Sequence, residues 1–180
     1  MEYMRVRIFC LSVLLFLSAL FAWAQNEPIP RGFRNIQLGL ALVEVQQLLI
    51  QDANFSYRGE PDVSLLPAGD NRVIESGGYS YIRRAWFQFR DETLFSITLV
   101  LNPDQLDHYG MYTTLVERYG EPVSLSPRVV VWESEETRLT LERPLSVRYV
   151  DRSGFDELLE QGRLQESVRE LSRRQFLEQF

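Results

Sequence analysis

The fold is decided by the stretch Trp86-Phe87-Gln88-Phe89-Arg90-Asp91-Glu92-Thr93-Leu94-Phe95-Ser96-Ile97-Thr98-Leu99-Val100-Leu101. Aromatic residues crowd the part before Asp91-Glu92, and β-branched and apolar residues fill the part after it. Two such runs joined by two turn-forming residues are typical of a β-hairpin. The stretch therefore predicts two antiparallel strands, from Tyr79 to Arg90 and from Thr93 to Leu101.

Further strands flank this hairpin on both sides. A short strand from Arg72 to Ser76 ends at Gly77-Gly78, before the hairpin. After it, a second hairpin is predicted from Arg128 to Ser134 and from Thr137 to Arg143, across the turn Glu135-Glu136. Another strand, from Leu145 to Val150, follows Pro144. The chain thus carries enough strands for one antiparallel sheet.

Two helices lie between the strand regions. Apolar residues at helical spacing predict the first helix from about Ala41 to Gln51. The second is predicted to open at Asn102-Pro103-Asp104, with Asp104 in the first turn, where a carboxylate complements the helix dipole. It should run to Tyr119 and stop at Gly120-Glu121-Pro122. We therefore expect an α+β fold in which helices pack on one face of an antiparallel sheet.

Two consecutive parts of the chain resemble each other in sequence. Residues 33–101 and 102–150 each contain a helix, a Gly-Glu-Pro linker and a hairpin whose first strand carries a tryptophan, Trp86 or Trp132. Two half repeats are the economical description. The spacing from helix to linker differs between the halves, so chance similarity stays open as the alternative. A helical tail is predicted over residues 154–180.

The N-terminus has the three parts of a secretory signal peptide. Arg5 and Arg7 give a positive start, Ile8 to Phe21 form an apolar run, and Ala22-Trp23-Ala24 offers a cleavage site. Cleavage removes residues 1–24 and leaves residues 25–180 as a single domain in the periplasm. The alternative is an uncleaved anchor in the inner membrane. Cys10 lies at the start of the apolar run, whereas a lipid-bearing cysteine should follow such a run, which argues against lipidation.

Composition excludes several kinds of function. The net charge is −6, and all 19 basic residues are arginine. A negative chain is a poor ligand for nucleic acid or anionic lipid. Without lysine, the chain has no Schiff-base nucleophile. The one cysteine, Cys10, leaves with the signal peptide, so no thiol chemistry remains. No cofactor is indicated.

Residues that could carry catalysis or bind a metal are few. His108 is the sole histidine, and with Asp104 it offers only two ligands on one helix face. The acidic pairs Asp91-Glu92, Glu135-Glu136 and Asp156-Glu157 are neighbours in turns or at a helix start, a position typical of solvated carboxylates. We therefore expect neither an enzyme nor a metal site.

Aromatic residues of the sheet give the more informative pattern. If one face of the sheet stays uncovered, some of them should be exposed, and exposed aromatic surface marks sites of interaction. The candidate interaction surface consists of Trp86, Phe87, Phe89, Tyr119 and Trp132. The paired cations Arg83-Arg84 and Arg173-Arg174 are expected to form salt bridges at the surface or to lie on a solvated face, rather than to bind phosphate.

Two sequence motifs resemble a known group of proteins. One is Leu115-Val116-Glu117-Arg118-Tyr119-Gly120-Glu121-Pro122 followed by Val129-Val130-Val131-Trp132, and the other is Leu38-Gly39-Leu40-Ala41-Leu42-Val43-Glu44-Val45. They resemble the BamE/SmpA-type outer-membrane assembly lipoproteins and the related β-lactamase inhibitor proteins. The resemblance implies helices on an antiparallel sheet and function through protein contact, without catalysis. The chain departs from the lipoproteins in lacking the lipid-bearing cysteine and in having a long C-terminal tail.

The leading hypothesis is an exported, non-enzymatic protein-interaction module that assists envelope assembly. Its partners would be envelope proteins, not nucleic acid, and it would meet the membrane only through the signal peptide. The sequence leaves the oligomeric state open. The alternative is a carrier or sensor of a small apolar ligand, held in a closed cavity lined by Phe89, Phe95, Tyr149 and Phe176.

Overall fold

The computed structural model describes residues 26–59, 63–65, 72–157, 159–160, 163, 173 and 177. The predicted signal peptide and most of the predicted tail lie outside the described residues. Helix α1 spans Leu42–Gln51 and helix α2 spans His108–Tyr119. Residues 152–157 are also helical. The strands of the described residues are β1 Gly32–Phe33, β2 Ile36–Gln37, β3 Val63–Leu65, β4 Arg72–Gly77, β5 Ile82–Arg90, β6 Thr93–Leu101, β7 Ser124–Leu125, β8 Val129–Glu133, β9 Thr137–Glu142 and β10 Ser146–Asp151.

Eight of these strands form one sheet in the order β3-β4-β5-β6-β10-β9-β8-β7. Every neighbouring pair is antiparallel. Strands β1 and β2 make a separate two-stranded ribbon. Strands β3 to β6 follow one another in the sheet, and so do β7 to β10, while β6 and β10 pair at the centre. The predicted α+β class with an antiparallel sheet is confirmed.

The hairpin of β5 and β6 closes as its sequence predicts. Asp91 and Glu92 have φ angles of 47° and 66°. Two successive left-handed residues make a turn whose twist matches that of the paired strands. Strand β5 begins at Ile82, later than predicted, because the Ile82 N–H donates to the Tyr79 carbonyl (3.1 Å) and closes a turn there.

Helix α2 begins at His108, later than its sequence predicts. The N–H of Asp104 donates to the side chain of Asn102 (3.1 Å), so Asp104 belongs to a turn before the helix. The side chain of Asp107 accepts a hydrogen bond from the N–H of Gly110 (2.9 Å) and caps the first turn. The predicted end at Tyr119 is confirmed, and Gly120 follows it with a φ of 80°.

The core lies against one face of the sheet. Helix α1 contributes the buried Val45 and Leu49, and α2 contributes Leu115. Phe55 packs edge-on against Phe87, with ring centres 5.6 Å apart. The core residues of the five central strands are Ala85, Phe87, Ile97, Leu99, Val147, Tyr149, Leu139, Leu141, Val130 and Trp132. No helix in the described part of the chain is both long enough and apolar enough to span a bilayer.

Candidate functional site

The second face of the sheet carries the residues that alternate with those of the core, and we call it the polar face. Cross-strand pairing aligns one residue from each of seven strands into a row across this face. In sheet order the row is Glu75, Trp86, Thr98, Arg148, Thr140, Val131 and Ser124. Strand pairs lie about 4.8 Å apart, so the row is about 30 Å wide.

Small side chains form the floor of the polar face. Ser96, Thr98 and Thr140 are buried, although they point away from the core, and so are Val131 and Val150. Longer side chains stand between them in the same row, including Trp86 and Arg148, which are half-buried. Among the described residues, the face is therefore a broad, uneven surface.

The charges of the polar face are paired with one another. Arg84 forms an ion pair with Glu75 (3.1 Å), and Arg148 forms one with Glu142 (3.5 Å). Arg138 pairs closely with Glu133. Three cations thus balance three anions on this face, although the whole chain has a net charge of −6. Long-range charge attraction will contribute little to recognition here.

Hydrogen bonds and ring contacts fix the two largest side chains of the central row. Nε of Arg148 donates to the hydroxyl of Thr98 (3.2 Å). The guanidinium carbon of Arg84 lies 5.7 Å from the ring centre of Trp86. Tryptophan and arginine are the residues that most often carry binding energy in protein interfaces. Here both are partly exposed and held in place by contacts within the protein.

The start of the C-terminal helix lies at one margin of the polar face. The guanidinium carbon of Arg138 is 4.8 Å from the ring centre of Phe155. Glu157 forms an ion pair with Arg90 (3.3 Å), and Arg152 lies 3.9 Å from Glu133. Residues 152–157 therefore pack beside the row that contains Arg138.

Three of the five residues predicted to form an interaction surface lie in the core. Phe87, Phe89 and Trp132 are at most 2% exposed, so the prediction that they are accessible is wrong. The cause is the strand pleat, which turns Phe87 and Phe89 inward and Trp86 outward. Trp132 donates its indole N–H to the Gly120 carbonyl (2.8 Å) inside the fold.

The other two residues of that set have different positions. Tyr119 is half-buried and packs against the core, beside Tyr149. Burial raises the pKa of Tyr149, and the nearby Tyr119 raises it further. Trp86 alone lies on the polar face. The predicted surface therefore reduces to Trp86, and the structure adds Arg148, which the sequence analysis missed although it alternates with Val147 and Tyr149.

The remaining candidate residues form no common site. The acidic pairs Asp91-Glu92, Glu135-Glu136 and Asp156-Glu157 are all exposed. Arg84 forms the expected surface ion pair, and Arg173 is exposed, while Arg174 lies outside the described residues. Among the described residues, no three His, Cys, Asp or Glu side chains gather as a metal site.

The residues proposed to line a ligand cavity are also separated. Phe89 and Tyr149 belong to the hydrophobic core. Phe95 instead lines a surface cavity of about 240 Å³ together with Arg90 and Gly154. Phe176 lies outside the described residues. The described members of the set therefore do not line one shared chamber.

Comparison with known proteins yields one family. The model of the TP0088 domain family matches residues 31–161, which is more than two thirds of the chain and includes every strand of the sheet. No curated protein and no solved structure matches the chain.

Proposed function

We propose that this chain, which belongs to the TP0088 domain family, is an exported module that binds another polypeptide across its polar face. The observation that carries the proposal is the central row, in which Trp86 and Arg148 stand partly exposed above a floor of small residues. Anchors of this kind supply most of the binding energy of protein interfaces. We infer no catalytic role.

The architecture supports a free polar face. Both helices place their buried residues in the core on the opposite side, so we infer that they cover that side only. We also infer two half repeats, because each half is a helix followed by four strands that are consecutive in the sheet. Joining the halves at β6 and β10 makes one wide surface from two narrow sheets.

The size and charge of the surface favour a protein partner. A row about 30 Å wide matches the width of a standard protein interface better than a small-molecule site. The ion pairs of this face leave it neutral, which gives no attraction to the phosphates of nucleic acid or anionic lipid. A partner that offers apolar and hydrogen-bonding groups fits best.

Export places the partner in the cell envelope. The signal peptide supports cleavage after Ala24 and function in the periplasm, with an inner-membrane anchor as the alternative. The residues that follow this site belong to the fold, since the N–H of Glu27 donates to the carbonyl of Arg118 (2.7 Å) and Ile29 packs on the core. Together with the resemblance to envelope assembly proteins, this supports a role in envelope assembly.

Replacing the two anchors tests the proposal. The variants Trp86→Ala and Arg148→Ala are expressed with the native signal in the native host, and the crosslinked partner is quantified. We expect each variant to recover at least about tenfold less partner than the wild type, which is equivalent to ~1.4 kcal/mol of binding free energy. Tyr79→Ala and Tyr81→Ala are the matched controls, because these tyrosines are also exposed but lie before β5. Circular dichroism verifies that all four variants fold.

Equal recovery by anchor and control variants would contradict the proposal. A monomer that crosslinks to no protein and releases an apolar small molecule on denaturation would instead support the carrier hypothesis.

A further inference from the structure

We propose that a cleft between the start of α2 and strand β7 binds a carboxylate that carries an aromatic or branched apolar group. The cleft, here the α2–β7 cleft, has a volume of about 240 Å³. His108 and Tyr112 line one wall, Ser126 and Pro127 line the other, and the buried Val130 contributes to the lining between them. It is separate from the polar face, and the inference does not depend on the proposed function.

Arg143 supplies the cationic group of the cleft. Its Nε donates to the carbonyl of Pro127 (3.0 Å), which holds the guanidinium beside the opening. Among the described residues, Arg143 forms no ion pair. By contrast, carboxylate partners are found for Arg31, Arg34, Arg72, Arg84, Arg90, Arg118, Arg138, Arg148 and Arg152.

An unpaired arginine is most informative where the surroundings are apolar. Arg83 and Arg128 also form no ion pair among the described residues, but Arg143 is the one of the three that lines the aromatic cleft. Guanidinium groups bind carboxylates through two parallel hydrogen bonds. Because the Nε donor is already used, the terminal nitrogens of Arg143 are the donors left for a ligand.

His108 adds a second hydrogen-bonding group that the free protein does not satisfy. Its Nε2 atom is buried and has no hydrogen-bond partner among the described residues. Burial lowers the pKa of His108, and the positive charge of Arg143 lowers it further, while Asp107 acts weakly in the opposite direction. The imidazole is therefore uncharged near neutral pH, and Arg143 gives the cleft its positive charge.

Exposed apolar side chains at the mouth define the rest of the ligand. Tyr109 is 74% exposed and Leu125 is 65% exposed, and both line the cleft. Large apolar side chains that remain in water next to a cavity are typical of ligand sites. The cavity is smaller than most drug-sized sites, so it fits one amino-acid-sized group.

The carboxylate could belong to a free organic acid or to the C-terminus of a polypeptide. Both present the same charge to Arg143 and an apolar group to Tyr109 and Leu125. The probes are therefore N-acetylphenylalanine, its amide, and the peptide Ala-Ala-Ala-Ala-Phe with a free or an amidated C-terminus.

The imidazole of His108 reports binding directly, since the chain has one histidine. We expect saturable shifts of its NMR signals with an acid probe, with a Kd between about 10 μM and 1 mM, as suits a small ligand. Bound carboxylate should also raise the pKa of His108. A preference for the free acid indicates a small-molecule site, and a preference for the peptide indicates a C-terminus site.

Arg143→Gln should weaken binding of the preferred acid at least about tenfold, which is the loss expected for a charge-assisted pair. Arg128→Gln is the matched control, because Arg128 is an exposed arginine next to β8 and outside the cleft lining. The Kd of the Arg128→Gln variant for the same acid should stay within about twofold of the wild-type value.

Any of three results would overturn the proposal. The first is equal affinity for the acid and its amide, and the second is an equal effect of Arg143→Gln and Arg128→Gln on the Kd. The third is the absence of a saturable shift for every probe up to about 10 mM, which corresponds to less than ~3 kcal/mol of binding free energy.

Discussion

At the residue scale, Trp86 and Trp132 occupy opposite environments. Trp132 is 1% exposed, donates its indole N–H to Gly120 and lies against Tyr112, with ring centres 6.3 Å apart. Trp86 projects from the polar face under the guanidinium of Arg84. Trp132 therefore holds the C-terminal end of α2, at Gly120, against the sheet. Trp86 is partly exposed on the polar face, where we propose that a partner binds.

Replacing each tryptophan by phenylalanine separates these roles. Trp132→Phe should lower the free energy of unfolding by about 1–3 kcal/mol, because a buried hydrogen bond and part of a packed ring are lost. Trp86→Phe should change it by less than about 1 kcal/mol, as is usual for surface positions. Urea unfolding followed by circular dichroism measures both. Equal losses would contradict the assignment of Trp132 to the core and Trp86 to the surface.

His108 predicts a pH dependence of stability. Its pKa is lowered in the folded state by burial and then by Arg143, with Asp107 opposing. The unfolded state therefore binds the proton more readily, and the free energy of unfolding should fall as pH drops below the unfolded pKa of about 6.5. Urea unfolding between pH 7.5 and 5 should show this slope in the wild type and a smaller one in His108→Gln. The same slope in His108→Gln as in the wild type would contradict the assignment of this pH dependence to His108.

Sequence alone could not assign the individual aromatic residues. The sequence does not show which of Phe87, Phe89 and Trp132 face the core, because neighbouring positions of these strands are also apolar or aromatic. Which of them faces inward depends on the register of the strands. Register is set by pairing with distant strands, and a shift of one residue exchanges the two faces.

At the element scale, helix α2 depends on its cap. Asp107→Ala should cost about 1 kcal/mol of stability, because the N–H of Gly110 loses its acceptor at 2.9 Å. Asp104→Ala is the matched control, and it should cost less than about 0.5 kcal/mol, since the side chain of Asp104 lies in a turn before the helix. Thermal unfolding compares the two. A larger loss for Asp104→Ala would mean that the helix starts where the sequence predicts.

Elements with strong local signals were predictable from the sequence. The turn Asp91-Glu92, the first helix and the stop at Gly120 are confirmed. The start of α2 was missed because Asn102, Asp104 and Asp107 are all good capping residues. The hydrogen bonds of the folded protein show that Asn102 stabilises the preceding turn and that Asp107 caps the helix.

At the scale of the whole molecule, the sheet order explains how a small chain offers a wide surface. Strands β3 to β6 and strands β7 to β10 are each consecutive in the sheet, and the pairing of β6 with β10 aligns Trp86, Thr98 and Arg148 at its centre. This alignment joins residues that are up to 62 positions apart, so no local pattern could have predicted it.

The proposed export of the chain can be measured separately. We expect the protein isolated from its host to begin at Gln25, because Ala22 and Ala24 present small residues to the signal peptidase. Intact-mass analysis of the periplasmic fraction measures this. Replacing Ala24 with a bulky residue should block processing. Recovery of the full-length chain from the membrane fraction would favour the anchor.

The central claim is that the polar face binds a protein partner, and site-specific photocrosslinking in the native host tests it most directly. A photoreactive residue at Gln88 or Ser146 samples the polar face and leaves Trp86 and Arg148 intact. Val43 and Gln47, exposed on α1, are the control positions. We predict that Gln88 and Ser146 capture one common partner, which Trp86→Ala abolishes, and that Val43 and Gln47 capture none. Capture from α1 but not from the polar face would contradict the account.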